Sequence, residues 1–331
     1  MNALVTGGGG FLGKALVKQL LDSGMGVTIL SRSRYPSIEA MGAKGIQADL
    51  SNTSDLGEHL TGIDIIFHTA AKAGVWGKKE DFWSINVAGT ERLLQAAQKK
   101  GIQYFIYTSS PSAVWHGGDE INLKEEDCPY PEQYLGHYPH SKAVAEKMVL
   151  DANRPNFRTT SLRPHLIWGP EDPHFIPRLL ERAHRLRIVG NGQNKVGICY
   201  VENAAYAHIL AAKELQAEAK NSGKAYFITD KEPILIWEWL NSVLTSLGKP
   251  PIRKRISLSL AEKVGGFLEW VWRTFSVKGE PMMTRFVARQ LAHSHYYDLS
   301  AAIADFGYTE HTSPEEGFEN MIRYFSEKYV P

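Results

Sequence analysis

A glycine-rich segment near the start of the chain constrains the fold more than any other feature. Residues 6–13 read Thr-Gly-Gly-Gly-Gly-Phe-Leu-Gly and lie between a short apolar run, residues 3–6, and a helix-periodic run, residues 11–21. A turn of this kind between a strand and a helix is typical of dinucleotide-binding folds. An ordinary tight turn is the alternative, and the flanking strand and helix make it the weaker one.

The glycines of this turn have separate roles in a dinucleotide site. Gly7 permits the tight turn, Gly10 lets the backbone approach a pyrophosphate, and Gly13 allows the helix to pack closely on the strand. The amide groups at the start of the helix, including those of Phe11 and Leu12, would face the anion. The sequence therefore predicts a nucleotide cofactor at this turn.

Apolar runs and helix-periodic runs continue to alternate along the first half of the chain. The pattern predicts strands at residues 27–30, 63–68 and 104–108 and a helix at residues 86–98. The strand runs are apolar with little alternation, which is typical of strands that helices cover on both faces. We therefore predict an α/β fold with a Rossmann-type, doubly wound parallel sheet.

The pattern changes at about residue 166, where closely spaced prolines interrupt the alternation. A helical run at residues 203–215 and an apolar run at residues 225–228 then return to the first pattern. The second region therefore forms a smaller, discontinuous C-terminal domain. The predicted division is a cofactor domain of residues 1–165 and about 196–230, and a substrate domain of about 166–195 and 231–331.

Residues 258–275 carry a stripe of apolar side chains at helical spacing, with charged residues on the other side. Three interpretations of this helix stay open: a helix packed on its own domain, a lid over an apolar substrate, and a peripheral contact with a membrane. The stripe consists of Leu260, Val264, Phe267, Leu268, Val271, Trp272 and Phe275.

The composition excludes several classes of protein. With 37 Lys plus Arg against 36 Asp plus Glu in 331 residues, the chain has no general basic field for binding nucleic acid. No apolar run is long enough to cross a bilayer. Two cysteines cannot form a disulfide framework, so we expect a cytoplasmic protein. The 12 histidines show no metal-ligand spacing, so no metal is expected.

The end of the second predicted strand bears on the choice of cofactor. Folds that bind NAD usually carry an acid there, about 20 residues beyond the glycine turn, which holds the ribose hydroxyls. This chain has Ser31 and Arg32 instead, with Arg34 nearby. A cation favours the 2′-phosphate, so we predict NADP(H), with NAD(H) possible. Asp49, at the end of the third strand, is either an acceptor for the adenine amino group or an ordinary turn acid.

Tyr138 and Lys142 are four residues apart in a predicted helix and therefore share one face. A phenol is a poor acid unless a positive charge favours its anion, and an ammonium group nearby would do so. The pair alone is a common chance pattern. It gains weight because a glycine turn and a serine-rich strand end, Ser109 and Ser110, precede it in the order of one site.

These features together resemble the extended short-chain dehydrogenases/reductases over nearly the whole chain, and within them the 3β-hydroxysteroid dehydrogenase branch. Loop residues 70–77, 163–170 and 192–196 are similar to those of bacterial reductases that act on 2-alkyl-3-oxoalkanoates in long-chain olefin biosynthesis. The matching motifs are Thr6-Gly7-x-x-Gly10-x-x-Gly13, Asp49-Leu50, His68-Thr69-Ala70-Ala71, Asn86-Val87-x-Gly89-Thr90, Tyr107-Thr108-Ser109-Ser110, Tyr138-x-x-x-Lys142, Arg163-Pro164 and Tyr200-Val201-x-Asn203.

The resemblance implies the roles of the catalytic residues. Tyr138 would exchange a proton with the substrate oxygen, while Lys142 would lower the pKa of Tyr138 and bind the nicotinamide ribose. Ser110 would orient the carbonyl, with Ser109 as the fallback. Asn86 would support a water relay, and a helix N-cap is its alternative. Further contacts with the cofactor are implied for Leu50, Ala70, Ala71, Lys72, Pro164 and Leu166.

The implied reaction is NADPH-dependent reduction of a ketone in a large apolar or acyl substrate, with a 2-alkyl-3-oxoalkanoate expected. Substrate contacts are expected from Trp76, Trp115, His116 and Arg178, and the cation that meets a carboxylate would be Arg178 or Lys72. The alternatives are an NAD-linked 3β-hydroxysteroid or sterol-carboxylate dehydrogenase, a nucleotide-sugar epimerase and a non-catalytic NADP(H) sensor. By resemblance we also expect a homodimer, and a complex with other enzymes of the pathway is possible.

Overall fold

The structure is a computed structural model that describes residues 1–53 and 56–329. Its strands are β1 (Asn2–Thr6), β2 (Gly26–Ser31), β3 (Lys44–Gln47), β4 (Ile65–His68), β5 (Tyr104–Thr108), β6 (Glu120–Leu123), β7 (Arg158–Pro164), β8 (Ile167–Trp168), β9 (Ile188–Val189), β10 (Lys195–Val196), β11 (Cys199–Tyr200), β12 (Ala225–Ile228), β13 (Ile234–Leu235), β14 (Arg255–Ile256) and β15 (His295–Tyr297).

The helices are α1 (Phe11–Asp22), α2 (Pro36–Glu39), α3 (Lys79–Phe82), α4 (Gly89–Lys99), α5 (His137–Asp151), α6 (Phe175–Arg182), α7 (Val201–Gln216), α8 (Ile236–Ser246), α9 (Leu258–Thr274), α10 (Arg285–Ala292), α11 (Ser300–Phe306) and α12 (Pro314–Tyr329). A π-helical segment, Trp83–Ala88, joins α3 to α4. Short 3₁₀ turns are formed by Leu56–Leu60, Pro111–Ala113 and Glu125–Asp127.

Seven strands form one parallel sheet in the order β12-β7-β5-β4-β1-β2-β3. Val5 of β1 pairs with Ile29 of β2 on one side and Phe67 of β4 on the other. The chain runs outward from β1 to β3 and then returns to β4, so the strand order reverses beside β1. In sheets of this kind the reversal opens a crevice at the carboxyl ends of the strands.

Helices cover both faces of the sheet, as the uniformly apolar strands predict. On one face α1 and α7 bury side chains such as Leu16 and Leu215 in one apolar cluster with strand residues such as Val5 and Phe67. On the other face α4 and α5 contribute Leu93 and Val149 to a second apolar cluster. The predicted doubly wound α/β fold is therefore confirmed.

The predicted elements of the first half are confirmed with small shifts at their ends. The predicted strand at residues 63–68 begins at Ile65, and the predicted helix at residues 86–98 is longer, because α3 and the π-helical segment extend it to Lys79. The predicted helix at residues 203–215 is α7, and the predicted strand at residues 225–228 is β12, an edge strand of the large sheet.

The C-terminal part has an apolar core of its own. Trp168, Trp237, Leu240 and Phe325 are buried there together, between α6, α8 and α12. A four-stranded sheet in the order β13-β10-β15-β6 lies in this part of the molecule. The exact division of the chain into a cofactor domain and a substrate domain stays a prediction.

Candidate active site

The predicted cofactor residues gather at the carboxyl edge of the large sheet. They lie at or just after the carboxyl ends of β1 (the glycine turn), β2 (Ser31 and Arg32), β3 (Asp49 and Leu50), β4 (Ala70 to Lys72) and β7 (Leu166). Because these strands are parallel neighbours, their carboxyl ends share one edge. The strand–helix order predicted the glycine turn, Ser31, Arg32 and Asp49 at this edge, and the family resemblance implied Leu50, Ala70 to Lys72 and Leu166.

The glycine turn leaves no room for side chains where β1 meets β4. Gly7 has a φ of +70°, and a Cβ there would lie 2.8 Å from Ala70 Cα. A Cβ on Gly13 would lie 2.2 Å from the Gly7 carbonyl oxygen. The first amides of α1, those of Phe11 and Leu12 among them, have no acceptor within the helix. This narrow, positively polarised turn fits the pyrophosphate of a dinucleotide.

His68 holds this turn in place, a role that sequence analysis missed. Its Nδ1 lies 2.6 Å from Thr6 Oγ1, and its Nε2 lies 2.9 Å from Thr90 Oγ1. Burial, with a smaller contribution from Lys142, lowers the pKa of His68 to about 3, so the ring is neutral. The imidazole therefore ties β1, β4 and α4 together beneath the crevice, and its position at the end of a buried strand was the available signal.

The polar residues after β2 and β3 differ in whether their side chains already have a partner within the protein. Arg32 is exposed, and no ion pair engages it within residues 1–53 and 56–329, whereas Arg34 pairs with Glu39. Asp49 accepts hydrogen bonds from the Ser51 amide and hydroxyl at 2.8 and 2.7 Å. These bonds, with help from Arg32, lower the pKa of Asp49. Of the two arginines near the end of β2, Arg32 is therefore the one without an ion-pair partner among the described residues.

Leu50, by contrast, is buried in the apolar cluster on the α4 side of the sheet. Its side chain packs beside Gly89, and its carbonyl oxygen accepts a hydrogen bond from Arg92 Nη1 at 3.1 Å. Leu50 therefore contributes to the core beneath the crevice.

Tyr138 and Lys142 lie in the first turns of α5, next to the end of β5. Burial raises the pKa of Tyr138 above its ordinary value, and hydrogen bonding with the Ser110 hydroxyl opposes this shift. Lys142 is buried, and its Nζ donates to the Thr108 carbonyl oxygen at 2.5 Å and lies 4.2 Å from the centre of the Tyr107 ring. The structure thus brings the predicted phenol and hydroxyl together and places the ammonium group one helical turn away, at the end of β5.

Ser109 and Ser110 differ in their hydrogen bonding. Ser110 accepts a hydrogen bond from the Ser112 amide at 3.2 Å and interacts with Tyr138. Ser109 is buried, and its hydroxyl has no hydrogen-bond partner among the described residues. The geometry therefore favours Ser110 over Ser109 as the hydroxyl beside the phenol.

A buried ion pair, Glu146 with Arg163, supports the lysine from one helical turn away. Arg163 Nη2 donates to Glu146 Oε1 at 2.7 Å, and Tyr130 and Ser161 add hydroxyl donors at 2.7 and 2.8 Å. Burial opposes ionisation of Glu146, but these partners outweigh it and hold its pKa below the ordinary value. Sequence analysis missed this pair, although Glu146 stands at the same helical spacing from Lys142 as Lys142 from Tyr138.

The effect of this pair reaches Lys142 through the charge on Glu146. Burial lowers the pKa of Lys142 to about 7, and the carboxylate raises it against that trend. An uncompensated lysine at this depth would lose its charge more readily. Glu146 therefore helps to keep the ammonium form next to the phenol.

Asn86 is buried within the π-helical segment and not at a helix start, so its alternative interpretation as an N-cap is wrong. Its Oδ1 accepts from the Lys72 amide at 2.7 Å, and its Nδ2 donates to the Lys72 carbonyl oxygen at 3.0 Å and to Ser141 Oγ at 2.9 Å. Asn86 thus joins the loop after β4 to the catalytic helix.

The loop after β7 has an unusual backbone at the position predicted to flank the nicotinamide. Leu166 has a φ of +39°, a conformation that branched and bulky residues rarely adopt outside functional sites. His165, between Pro164 and Leu166, places its Nε2 3.0 Å from His295 Nδ1. The strained loop is therefore fixed to β15 from behind.

A cavity of about 1290 Å³ lies between α5 and α9, and the α5 residues that line it are His137 and His140, on either side of Tyr138 in the sequence. Phe82, whose ring centre is 6.4 Å from that of Tyr138, lines it together with Trp76 and Trp272. Four acids and five cations also line the cavity, so its wall is mixed in character. They are Asp81, Glu132, Glu262, Glu269, Lys78, Lys79, Arg273, Arg285 and Arg289.

Of the predicted substrate residues, Trp76 lines the cavity and the other three do not. Trp115 is buried behind the wall, edge-on to Phe286 at 5.5 Å. His116 is directed to the Pro129 carbonyl oxygen at 3.0 Å. Arg178 forms an ion pair with Glu280 at 3.0 Å. These three expectations are not supported, because contacts across elements decide which loop residues reach the cavity.

Four residues of the apolar stripe, Leu260, Val264, Phe267 and Phe275, are exposed, whereas Leu268, Val271 and Trp272 are partly buried. In α9 the buried residues are Ala261, Gly265 and Glu269, whereas Phe267 and Trp270 are exposed. The packed-helix interpretation therefore fails for most of the stripe. No helix in the described part of the chain is long and apolar enough to cross a membrane.

Comparison with known proteins agrees with this geometry. Residues 4–260 match the 3-beta hydroxysteroid dehydrogenase/isomerase family. The chain is 46% identical over 330 residues to 2-alkyl-3-oxoalkanoate reductase of Shewanella oneidensis, covering 97% of this chain and 85% of that protein. It is 34% identical to sterol-4-alpha-carboxylate 3-dehydrogenase, decarboxylating, of Mus musculus, covering 97% and 90% of the two chains.

Solved structures are similar over the whole chain. The crystal structure of gox2253 has a TM-score of 0.79 and 26% identity, with 99% of this chain and 98% of that chain covered. MoeE5 in complex with UDP-glucuronic acid and NAD has a TM-score of 0.75 and 23% identity, with 99% and 100% covered. At that identity the likeness to MoeE5 concerns the fold alone.

Proposed function

Because the chain belongs to the 3-beta hydroxysteroid dehydrogenase/isomerase family, whose members are NAD(P)-dependent oxidoreductases, we propose that it reduces the ketone of a 2-alkyl-3-oxoalkanoate with NADPH. The observation that carries the proposal is the phenol of Tyr138, which has the Ser110 hydroxyl beside it, the buried Lys142 one helical turn away, and two neighbours, His137 and Phe82, that line a large cavity. The 46% identity to a 2-alkyl-3-oxoalkanoate reductase supports the substrate class.

The proposed mechanism assigns the proton to Tyr138. NADPH, when bound, supplies the hydride that reduces the carbonyl carbon. Ser110 donates a hydrogen bond to the carbonyl oxygen and holds it beside the phenol. As the carbon–oxygen π bond breaks, Tyr138 transfers its proton to that oxygen, and the product is a secondary alcohol. The ammonium group of Lys142 stabilises the phenolate that remains.

Several residues would hold the cofactor at this edge of the sheet. The amides at the start of α1 would bind the pyrophosphate, and Lys142 would reach the nicotinamide ribose. Leu166 would flank the nicotinamide through its strained backbone. Ser31 and Arg32 would meet a 2′-phosphate, which supports NADP(H) over NAD(H).

The substrate carboxylate needs a cation, and Arg273 fits better than the two considered from the sequence. Lys72 is paired with Asp81 at 2.8 Å, and Arg178 is paired with Glu280. Arg273 lines the cavity, lies 5.4 Å from the centre of the Trp76 ring, and has no ion pair within the described part of the chain. Burial and the charge of Arg273 lower the pKa of His137, the neighbour of Tyr138, so this guanidinium lies near the catalytic helix.

The proposal is tested by following NADPH absorbance with 2-alkyl-3-oxo acids and, in reverse, NADP⁺ with the more stable 2-alkyl-3-hydroxy acids. The Tyr138→Phe variant is expected to lose turnover by about 10²–10⁴-fold while still binding NADPH, since only the transferred proton is removed. No turnover in either direction would overturn the substrate assignment. Oxidation of a sterol 4-carboxylate with NAD⁺, in preference to these substrates, would favour the activity named for the mouse relative.

Cofactor choice is tested with a matched pair of variants. Arg32→Ala is expected to weaken NADPH binding by about 10–100-fold and to leave NADH binding nearly unchanged, because one charged contact with the 2′-phosphate is lost. Arg34→Ala, which removes an arginine already paired with Glu39, is the control and should change the dissociation constant far less. Equal effects on both cofactors would contradict the assignment of Arg32.

A further inference from the structure

The outward side of α9 is apolar, although it faces solvent. Leu260 is 51% exposed, Phe267 61%, Trp270 56% and Phe275 67%. The three aromatic rings are adjacent, with ring centres 6.0 Å apart for Phe267 and Trp270 and 6.2 Å apart for Trp270 and Phe275. Contiguous exposed aromatic residues of this kind mark a binding surface more often than chance exposure. We call these four residues, with Val264, the α9 surface.

The helix cannot roll to bury this surface, because its inner side is fixed. A Cβ on Gly265 would lie 2.7 Å from the Thr284 carbonyl carbon, so the backbones of α9 and the start of α10 are in close contact. Glu269 accepts hydrogen bonds from the Arg285 amide at 2.8 Å and from its guanidinium at 3.0 and 2.8 Å. Glu262 binds Arg289 at 2.6 Å. Polar and small residues therefore make the close contacts with α10, and Phe267, Trp270 and Phe275 stay outside.

A cluster of cations leads directly into the α9 surface. The cluster comes from two segments, residues 182–187, which lead into β9, and residues 253–255, which lead into β14. They lie together because β9 pairs with β14 and the Ile188 amide donates to the Lys254 carbonyl oxygen at 2.8 Å. Within the part of the chain that the structure describes, no ion pair engages any of its six cations. This basic cluster consists of Arg182, Arg185, Arg187, Arg253, Lys254 and Arg255.

The local charge contrasts with that of the whole chain, whose formal net charge is +1. Residues 182–187 and 253–255 contain no acid, and Glu181, next to Arg182, is a single acid against six cations. The acids on α9, Glu262 and Glu269, are already paired with arginines. The uncompensated positive charge therefore lies at one end of an exposed aromatic surface. Anionic phospholipid headgroups offer the matching charge, and the region just below them accepts aromatic rings.

We propose that the α9 surface and the basic cluster together form a docking surface for a membrane that contains anionic phospholipids. A second copy of the chain fits this surface less well, because α9 offers a partner's basic cluster no free acid: Glu262 and Glu269 are both paired with arginines. Docking does not depend on the proposed reaction. It does place α9 between lipid and cavity, since Trp272 and Arg273 on its inner side line the cavity.

The test is cosedimentation of the full chain with vesicles of phosphatidylcholine alone and of an equal mixture with phosphatidylglycerol. We expect binding to the mixed vesicles and little to the neutral ones. The Phe267→Ser/Trp270→Ser variant and the Arg253→Gln/Lys254→Gln/Arg255→Gln variant should each weaken binding by at least about tenfold.

Matched controls exist elsewhere on the surface. Ile303→Ser removes an apolar side chain that is 55% exposed on α11, and Lys99→Gln/Lys100→Gln removes two exposed cations at the end of α4. Neither should alter vesicle binding, and cooperative unfolding of every variant confirms that it is folded. The proposal is overturned if the wild-type chain ignores the mixed vesicles, if the controls weaken binding as much as the α9 variants, or if the α9 variants merely convert a dimer into a monomer.

Discussion

The two helices that flank the cavity, α5 and α9, differ in which side chains they bury: α5 buries charged groups, and α9 leaves aromatic groups exposed. Helix α5 buries charged groups, Lys142 and Glu146, and compensates them with Arg163 and hydroxyl donors. Helix α9 buries small residues and one paired carboxylate and leaves Phe267 and Trp270 outside. In each helix an ion pair fixes which side faces the rest of the protein. The residues to which we assign a function, buried Lys142 in α5 and exposed Phe267 and Trp270 in α9, are those for which the usual amphipathic pattern predicts the opposite burial.

The largest effect is expected from breaking the buried pair under α5. Glu146→Gln should destabilise the protein by about 3–5 kcal/mol, because Arg163 is left as an uncompensated buried charge. Glu262→Gln, which breaks the part-exposed pair of α9 with Arg289, should cost about 0–1 kcal/mol. Urea unfolding of both variants measures the difference, and equal costs would show that the two helices are anchored alike.

The charge on Lys142 should appear in the pH profile. Burial lowers the pKa of Lys142 to about 7, so the lysine is charged below that pH and neutral above it. Since the charged form supports proton donation by Tyr138, kcat/KM for reduction should be level at lower pH and fall above about 7, by up to about tenfold for each pH unit. The phenol itself stays protonated in this range, because burial raises the pKa of Tyr138.

Glu146→Gln sharpens that prediction, provided that the variant folds. The carboxylate raises the pKa of Lys142, so its loss should move the descending limb to lower pH. Glu91→Gln, at an exposed position on α4, is the control and should leave the limb in place. A shift of the limb to higher pH in the Glu146 variant would contradict the coupling.

The parts of the fold and of the candidate site that could be predicted from the sequence are those whose pattern lies within a short stretch of the chain. The glycine turn, the strand ends and the spacing of Tyr138 and Lys142 are short-range patterns, and the sheet places them together automatically. Glu280, the partner of Arg178, is 102 residues away in the sequence. Trp115 is separated from the cavity by Phe286, which belongs to α10, far along the chain. Contacts of such long range leave no periodic trace in one sequence, so the substrate side was assigned poorly.

The orientation of α9 illustrates the same limit. A stripe of apolar residues ordinarily predicts a buried face, because burial is what rewards it. Here Gly265 and the Glu269–Arg285 pair fix a different side of α9 against α10. In the sequence alone, one glycine and one charged residue are a weaker signal than a stripe of seven apolar residues. Glu146, in contrast, could have been found, since its spacing from Lys142 places it on the catalytic face.

A moderate effect is expected at the inner side of α9, where Arg273 lines the cavity. Arg273→Gln should raise KM for a 2-alkyl-3-oxo acid by about tenfold and change KM for the corresponding ketone without a carboxylate very little, because one exposed charged contact is lost. Arg178→Gln, at the arginine paired with Glu280, is the matched control and should affect both substrates alike. If Arg178→Gln alone raised KM for the acid, the carboxylate site would lie at the other arginine.

The smallest effect on stability is expected at the outer side of α9. Phe267→Ser should change the free energy of unfolding by no more than about 0.5 kcal/mol, since this ring is exposed and already in contact with water. Phe105→Ser, at a fully buried ring of β5, should cost at least about 3 kcal/mol by the same measurement. A large loss at Phe267 would mean that the ring is covered in solution by another part of the chain or by a second copy. The near-neutral result we expect would leave binding to a partner as the physical reason for three adjacent exposed aromatic rings, because folding alone gains almost nothing from them.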